Sequence, residues 1–184
     1  MKPVTLSLAV VVLGVCLFGC ASIATAEETD RFNSMVRVNG CEVVRQNESV
    51  ILTSPTHDRS LVQTADAFRP PFVVRLKAKT DSTNLRLYYN AGMVIFNWEV
   101  RKTELRVHDP LTDRQTGSPS KGYITPNEWH DIVWEIKPEG MQVSVDGEER
   151  FRGTGDYSGI DAPVGLGPAF GSVVSVQSCV IDPL

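Results

Sequence analysis

Apolar and polar residues alternate in one short run after another from Gly40 to the end of the chain, and this pattern constrains the fold most. In HDIVWEIK, residues 130–137, every second side chain is apolar or aromatic, as in a strand with one buried face. Turn signals such as Pro138-Glu139-Gly140 and Asp146-Gly147 separate the runs. About ten or eleven short strands, without a repeat or a helix longer than one turn, predict an all-β, two-sheet antiparallel jelly-roll sandwich. A closed barrel is the alternative.

Two further features bear on the organisation of this sandwich. A jelly roll with this many strands should place its first strand, CEVVRQ, beside its last, SVVSVQSCVI. Residues 110–128, rich in Pro, Gly, Ser and Thr, are predicted to form one long loop, and long loops are often functional. The chain of 184 residues, 42% hydrophobic and 22% charged, is long enough for one domain with a real core. Its net charge of −4 and its interrupted Lys and Arg runs predict no nucleic-acid partner.

Residues 1–26 have the composition of a secretory signal peptide, with Lys2 followed by an apolar run. The sequence offers two possible cleavage sites at the end of this signal. Leu17-Phe18-Gly19-Cys20 is similar to a bacterial lipobox, which would make Cys20 the lipid-bearing residue, and Ala24-Thr25-Ala26 is similar to a peptidase site. An uncleaved membrane anchor is the third alternative, because Pro3 to Ala26 is uncharged and just long enough to span a bilayer. We expect an exported protein, periplasmic, secreted or lipid-anchored, with a short tether at 27–39 and the β-sandwich domain at 40–184.

The cysteines are consistent with export. Cys16 leaves with the signal, and Cys20 is either lipidated or removed, so Cys41 and Cys179 remain at opposite ends of the domain. Two cysteines in an exported domain predict one disulfide, provided that the first and last strands are neighbours. Two buried thiols are the alternative.

A series of short motifs in the later part of the chain resembles a known superfamily. A Trp-His pair opens HDIVWEI, a Pro-Glu-Gly turn follows, and then come MQVSVDG and VGLGPAFGSVVSV. This order resembles the concanavalin A-like lectin/glucanase superfamily, of the laminin-G-like sort, over residues 40–182, and GMVIFNWE and LRVHDP resemble its bacterial sugar-binding domains. The resemblance implies a jelly roll with a concave face that often binds glycans. Because the superfamily also contains glycoside hydrolases, the fold does not settle the function.

The enzyme interpretation requires two carboxylates about 5–5.5 Å or about 6.5–9.5 Å apart. Laminarinase-type enzymes place them on one strand as E-x-D-x-x-E, and the most similar segment here starts with Trp129 in the first acidic position. Asp131 and Glu135 would lie roughly 13 Å apart along a strand, outside both ranges. Glu99 and Glu104 could approach each other, but nothing in the sequence requires it. Bacterial 3-keto-disaccharide hydrolases are similar in fold and export, and they supply the alternative function.

Metal and nucleophile chemistry have weaker support. His57, His108 and His130 lack metal-ligand spacing, so we expect no transition-metal site. Calcium needs only carboxylates and carbonyls, and loop residues Asp109, Asp113 and Asp156 could supply them, although such loops usually just face water. We expect no other cofactor.

The binding interpretation rests on aromatic rings and planar polar groups, which recognise sugars. In NLRLYYN and TELRVHD the leucines and Val107 should face the core, which leaves the alternate residues facing outward as a polar, aromatic patch. Trp98 is the aromatic residue of the strand between them, with the core as its alternative location. Tyr123 and Tyr157 are loop-borne platforms, and Asp156 is either a hydroxyl acceptor or a turn cap. The predicted carbohydrate-binding residues are Arg86, Tyr88, Asn90, Trp98, Arg106, His108, Tyr123, Asp156 and Tyr157.

These arguments predict an exported lectin-like domain that binds carbohydrate without cleaving it. A glycan hydrolase of the same fold and a protein-interaction module are the alternatives. A solvated sheet face with ordinary cross-strand ion pairs would explain the same alternation of Arg and Glu without any ligand.

Overall fold

We describe the protein from a computed structural model, in which residues 31–55 and 60–184 are described, without the side chains of residues 32 and 33. Fourteen strands follow a 3-10 helix at Arg31–Ser34. The first seven strands are β1 (Met35–Val38), β2 (Glu42–Gln46), β3 (Ser49–Thr53), β4 (Leu61–Thr64), β5 (Phe72–Thr80), β6 (Leu85–Tyr89) and β7 (Gly92–Phe96). The other seven are β8 (Leu105–His108), β9 (Gln115–Ser118), β10 (His130–Lys137), β11 (Gly140–Val145), β12 (Glu148–Thr154), β13 (Val164–Gly167) and β14 (Val173–Pro183).

The strands form two antiparallel sheets of seven strands each. The first sheet has the order β1-β4-β13-β6-β7-β8-β9, and the second has the order β12-β11-β10-β5-β14-β3-β2. Each sheet has two edges, so the sandwich is open at the sides and is not a closed barrel. The predicted all-β, two-sheet antiparallel jelly-roll class is therefore confirmed.

Three details differ from the sequence analysis. Strand β1 lies in the stretch assigned to the tether, and β9 lies inside the stretch predicted as one long loop. The predicted first strand, now β2, does not lie beside β14, because β3 separates them. Both missed strands are edge strands, which have little apolar alternation because most of their residues meet water.

The core lies between the two sheets and is built from the alternate apolar residues of each strand. Trp134 on β10 is fully buried, and its ring meets that of Tyr89 on β6 edge-on, with 6.5 Å between centroids. Phe72 on β5 packs edge-on against the same tyrosine at 5.1 Å. The Tyr89 hydroxyl donates to the Phe68 carbonyl at 2.8 Å, and burial followed by the charge of Asp161 raises the pKa of Tyr89 to about 12. This aromatic cluster joins the two sheets.

The predicted disulfide between Cys41 and Cys179 is wrong. Both cysteines are buried, and no disulfide joins them. The register explains this: Glu42 pairs with Thr53, and Thr53 pairs with Val173, so Cys41 is level with the start of β14. Cys179 lies further along β14, roughly 20 Å away along the strand direction, whereas a disulfide needs Cα atoms within about 7 Å. Burial raises the pKa of Cys41 to about 11, against the lowering effect of the Arg37 charge and with a smaller contribution from Glu42, which disfavours a reactive thiolate.

The predicted signal peptide and its Cys20 lie outside the described residues. Within residues 31–55 and 60–184, no helix is both long enough and apolar enough to cross a bilayer.

Candidate functional site

The outer face of the first sheet, on the side away from the core, brings four of the predicted residues together. Leu85, Leu87 and Tyr89 of β6 face the core, so Arg86 and Tyr88 face outward. The register aligns Arg86 with Ile95 and Arg106 in one row, and Tyr88 with Met93 and His108 in the next. We call this surface the outer face.

Arg86 lies on the outer face but is only 3% exposed, so the prediction that it faces solvent is wrong. Its Nε and Nη2 donate to Asn84 Oδ1 at 3.0 and 2.6 Å, and Nη2 also lies 3.2 Å from Glu99 Oε2. The ring of Phe170, in the turn before β14, covers the guanidinium at 5.1 Å. Phe170 itself remains 44% exposed. Arg86 is therefore a buried support beneath an aromatic surface.

A second arginine–aromatic pair lies two strands away on the outer face. The Arg106 guanidinium lies 5.0 Å from the ring centroid of Trp98, which is half-buried, and it also donates to Gln115 Oε1 on β9. Glu104, which is buried, accepts from Arg101 at 2.7 Å and lies 3.5 Å from Arg106. Trp98 is thus neither a core residue nor a fully exposed platform. One ring face is occupied by Arg106.

His108, Tyr88 and Asn90 contribute less to an open site. His108 is buried, against the expectation that it faces solvent, and its Nδ1 lies 2.8 Å from Asp113 Oδ1. Tyr88 is half-buried. Asn90 is exposed in the turn between β6 and β7, where its φ of 52° and its hydrogen bond to the Pro110 carbonyl identify a structural turn residue.

The three candidate residues in loops differ in their exposure and hydrogen bonding. Tyr123 is 44% exposed, as a platform requires. Asp156 accepts from the Ser158 amide and hydroxyl at 3.2 and 2.6 Å, which is the turn-cap alternative. Tyr157 is only 1% exposed and belongs to the core, so its prediction as a loop-borne platform is wrong. Its hydroxyl donates to Asp109 Oδ2 at 2.6 Å and so joins the loop after β12 to the turn after β8.

Asn97 was missed as a residue of structural importance. Its Nδ2 donates to the carbonyls of Ser82 and Ile124 at 3.3 and 2.8 Å, and its Oδ1 accepts from the Ile124 amide at 2.9 Å. The side chain is fully buried, with φ of 48°. Asn97 therefore fixes the chain that leads into Trp98 and Glu99. The signal available in the sequence was an asparagine at the end of an apolar strand, where left-handed φ is common.

Phe170 and Glu99 were also missed. Phe170 lies in the turn GPAFGS with φ of 53°, just before Gly171, and an aromatic residue in such a turn could have indicated an exposed ring. In the sequence Glu99 is a candidate only for a catalytic carboxylate, whereas the structure pairs it with Arg86.

The carboxylates considered for catalysis or metal binding are dispersed. Asp131 and Glu135 lie on β10 in the second sheet and pair with Lys77 and Lys137 at 3.8 and 3.0 Å. Among the described residues, no group of three His, Cys, Asp or Glu side chains is placed to hold a metal ion. The calcium candidates Asp109, Asp113 and Asp156 each accept hydrogen bonds within their own turns, and His57 lies outside the described part of the chain.

Asp109 makes stability depend on pH. Burial tends to raise the pKa of its carboxyl, but the hydrogen bond from Tyr157, followed by those from the Thr112 amide and hydroxyl, outweighs burial and holds the pKa below 3.8. As the pH falls, the unfolded chain therefore takes up the proton first. The stabilisation is present above about pH 5 and is lost as the pH falls through the folded-state pKa.

We therefore expect Asp109→Asn to lower the free energy of unfolding at pH 7 by roughly 1–2 kcal/mol and to lower it less at pH 3. Urea unfolding of both proteins at the two pH values measures this. Asp66→Asn, at an exposed aspartate outside this turn, is the control. An equal gap at both pH values would show that the Asp109 carboxylate does not carry the effect.

Comparisons with known proteins add a result on the fold. The sequence matches no protein-family model and no curated protein. Solved structures do match: a β-glucanase from Bacillus licheniformis has a TM-score of 0.60 at 10% identity, covering 84% of this chain and 96% of that one. The carbohydrate-binding module CBM66 from Bacillus subtilis has a TM-score of 0.60 at 8% identity, covering 81% and 95%. The fold is that of the concanavalin A-like lectins and glucanases.

Two further structures show how widely this concanavalin A-like fold is used. The exoplasmic/lumenal domain of VIP36 matches with a TM-score of 0.56 at 8% identity, covering 82% of this chain and 85% of that one. A sialidase matches 81% of this chain with a TM-score of 0.58 at 9% identity, and the chain spans only 16% of that protein. At such identities the likeness establishes the fold alone, and the predicted resemblance is confirmed at that level.

Proposed function

We propose that the protein binds carbohydrate without cleaving it, through the outer face of the first sheet. The observation that carries the proposal is the presence of two arginine–aromatic pairs on this one face. Phe170 stacks on Arg86 and Trp98 on Arg106, with Glu99 paired to Arg86 beside them. The binding residues in this proposal are Trp98, Phe170, Glu99 and Arg106, with Arg86 as their support.

The chemistry of this surface suits a sugar. A sugar ring has an apolar side that packs on an aromatic ring and a rim of hydroxyl groups that bond to planar polar groups. Phe170 and Trp98 are partly exposed, so one surface of each ring can meet a ligand. The arginines hold the other side of each ring, which fixes the rings before a ligand arrives and lowers the entropy cost of binding.

Two observations favour binding over catalysis. Glu99 and Glu104, the carboxylates beside Trp98, are each already paired with arginine, whereas a hydrolase needs one carboxyl group that holds a proton for the leaving group. Asp131 and Glu135 lie in the other sheet at strand spacing. The fold shared with a carbohydrate-binding module supports the proposal as an analogy. The same fold occurs in a β-glucanase, so the test must also look for reaction products.

A glycan array probed with the full chain, produced in an exporting host, tests the proposal. We expect saturable binding without product formation, and at least a tenfold loss of affinity in Trp98→Ala, equivalent to about 1.4 kcal/mol. Trp129→Ala is the matched control, because Trp129 is also a partly exposed ring stacked on a cation, Lys79 at 4.9 Å, but it lies outside the outer face. Equal losses of affinity in both variants, or no binding to any glycan of a broad array, would contradict the proposal. Product formation would instead support the alternative function, a glycan hydrolase.

Export belongs to the same proposal. We infer it from residues 1–26, with either lipid attachment at Cys20 or cleavage after Ala26. A carbohydrate partner outside the cell is consistent with it, and any membrane contact would come through the lipid.

A further inference from the structure

A cleft of about 680 Å³ opens between the two sheets at the side where each ends in an edge strand. Strand β9 is the last strand of the first sheet, and β12 is the last strand of the second. Val107 and Thr116 form one wall, and Met141, Phe151 and Gly153 form the other. Its volume lies within the range of about 300–1,000 Å³ that is usual for small-molecule sites. The cleft is separate from the outer face, which lies across the first sheet from the core.

The wall on β12 has an unusual side-chain pattern. In FRGTGDY, residues 151–157, the inward positions are Phe151, Gly153, Gly155 and Tyr157. The exposed positions between them are Arg152, Thr154 and Asp156. The two aromatic rings thus lie on the same side of the chain as the two glycines. The Gly155 amide donates to the Glu139 carbonyl at 3.1 Å, which continues the β11–β12 pairing by one residue.

Gly153 and Gly155 are glycines because a larger residue would lack space, and not because the backbone conformation requires glycine. Neither has a left-handed φ, so the backbone would accept another residue. A Cβ on Gly153 would lie 2.8 Å from the Phe151 ring, and a Cβ on Gly155 would lie 2.6 Å from the Tyr157 ring. The rings of Phe151 and Tyr157 therefore lie directly against the two glycines, and the absence of a Cβ lets the rings pack there.

The cleft also contains hydrogen-bonding groups. Thr116 pairs with the inward-facing Val107, so its exposed hydroxyl faces the cleft. The Arg114 guanidinium, also in the lining, has no hydrogen-bond or ion-pair partner among the residues that the structure describes. Asp109, by contrast, is occupied by Tyr157 and by its own turn. The charged residues of the lining are two arginines, Arg114 and Arg152, and two aspartates, Asp109 and Asp156, so its formal charge is balanced, which favours an uncharged ligand.

We propose that this cleft is a second binding site that takes one residue of a neutral glycan, an inference that rests on the proposed carbohydrate-binding function. The sugar ring packs against the ring of Phe151, which itself lies against Gly153. Its hydroxyls accept from Arg114 and bond to Thr116. An aromatic ring with a few convergent polar groups in a preformed cleft is the usual composition of such a site.

Amide NMR spectra of the full chain, titrated with neutral tetrasaccharides of glucose, galactose, mannose and xylose, test this proposal. We expect saturable shifts at Thr116, Gly153 and Gly155, and at least a tenfold weaker affinity at these amides in Gly153→Ala, because the new Cβ displaces the Phe151 ring. Gly159→Ala is the matched control, since a Cβ there meets nothing within 4 Å and its φ is not left-handed. Thr116→Val, an exposed and nearly isosteric change, removes one hydroxyl without the risk of unfolding.

The location of the shifts separates the two proposals. Shifts at the cleft and at the outer face support both. Shifts confined to Trp98 and Phe170 overturn the cleft site and leave the proposed function standing. Shifts confined to the cleft support the second site and overturn the outer face as the binding surface. No shifts with any of the four sugars overturn both, and a cleft response that Gly153→Ala and Thr116→Val leave unchanged overturns the cleft site.

Discussion

Arg86→Ala should destabilise the protein by about 3 kcal/mol, although Arg86 lies on the face of its sheet that points away from the core. The substitution removes the two donors to Asn84 Oδ1, leaves Glu99 without its cation and takes away the support beneath Phe170. Breaking a buried ion pair by removing one partner costs about 3–5 kcal/mol, and we take the lower end because Glu99 is partly exposed and can be rehydrated. Urea unfolding at neutral pH measures the change.

Arg106→Ala is the matched control for Arg86→Ala. Arg106 lies in the same row of the outer face and also stacks on an aromatic ring, but its side chain is 23% exposed. Its loss should cost about 1 kcal/mol, because Glu104 keeps its ion pair with Arg101 and water can reach the exposed Gln115. Equal destabilisation by the two variants would show that burial of Arg86 is not what makes it important. Binding should weaken in both, since each variant frees one aromatic ring.

The strands that could be predicted are those with one buried face. Strand β10 alternates along its whole length, and its inward residues are the buried ones. Strand β9, QTGS, contains no apolar residue and almost no burial, so no periodicity marked it. The pairing of strands could not be predicted from the sequence either, because alternation defines the two faces of a strand and not its neighbours in the sheet. The disulfide prediction failed for this reason, since it needed β2 beside β14.

The candidate site shows the same limit. Alternation correctly placed Arg86, Tyr88, Arg106 and His108 on one face, because a strand has only two faces. It could not predict that Phe170, far along the chain, covers Arg86. Tyr157 could have been predicted to point inward. The alternation of FRGTGDY continues beyond the end of β12, and it places Tyr157 on the same side of the chain as Phe151. The glycines of GTGDYSG are typical of a loop and conceal that continuity.

Asn97→Ala should have the largest effect of any single change in the outer-face region, a loss of about 4 kcal/mol in the free energy of unfolding. The substitution leaves the buried Ile124 carbonyl and the half-buried Ser82 carbonyl without their donor, and the buried Ile124 amide without its acceptor. Each unsatisfied buried group costs about 1–3 kcal/mol. Alanine also tolerates the left-handed φ of 48° less well than asparagine, at a cost of about 1 kcal/mol. Urea unfolding measures the total.

Two variants divide this loss into its causes. Asn97→Gly accepts the left-handed φ but lacks the amide, so it should retain roughly three quarters of the destabilisation if unsatisfied groups dominate. Asn47→Ala has a comparable φ of 54° in an exposed turn, and it should cost only about 1 kcal/mol. If Asn97→Ala cost no more than Asn47→Ala, the side-chain hydrogen bonds would not be what holds this part of the fold. Because Asn97 leads directly into Trp98 and Glu99, its loss should also weaken glycan binding at the outer face while leaving the cleft amides responsive, which links the stability of this strand end to only one of the two proposed sites.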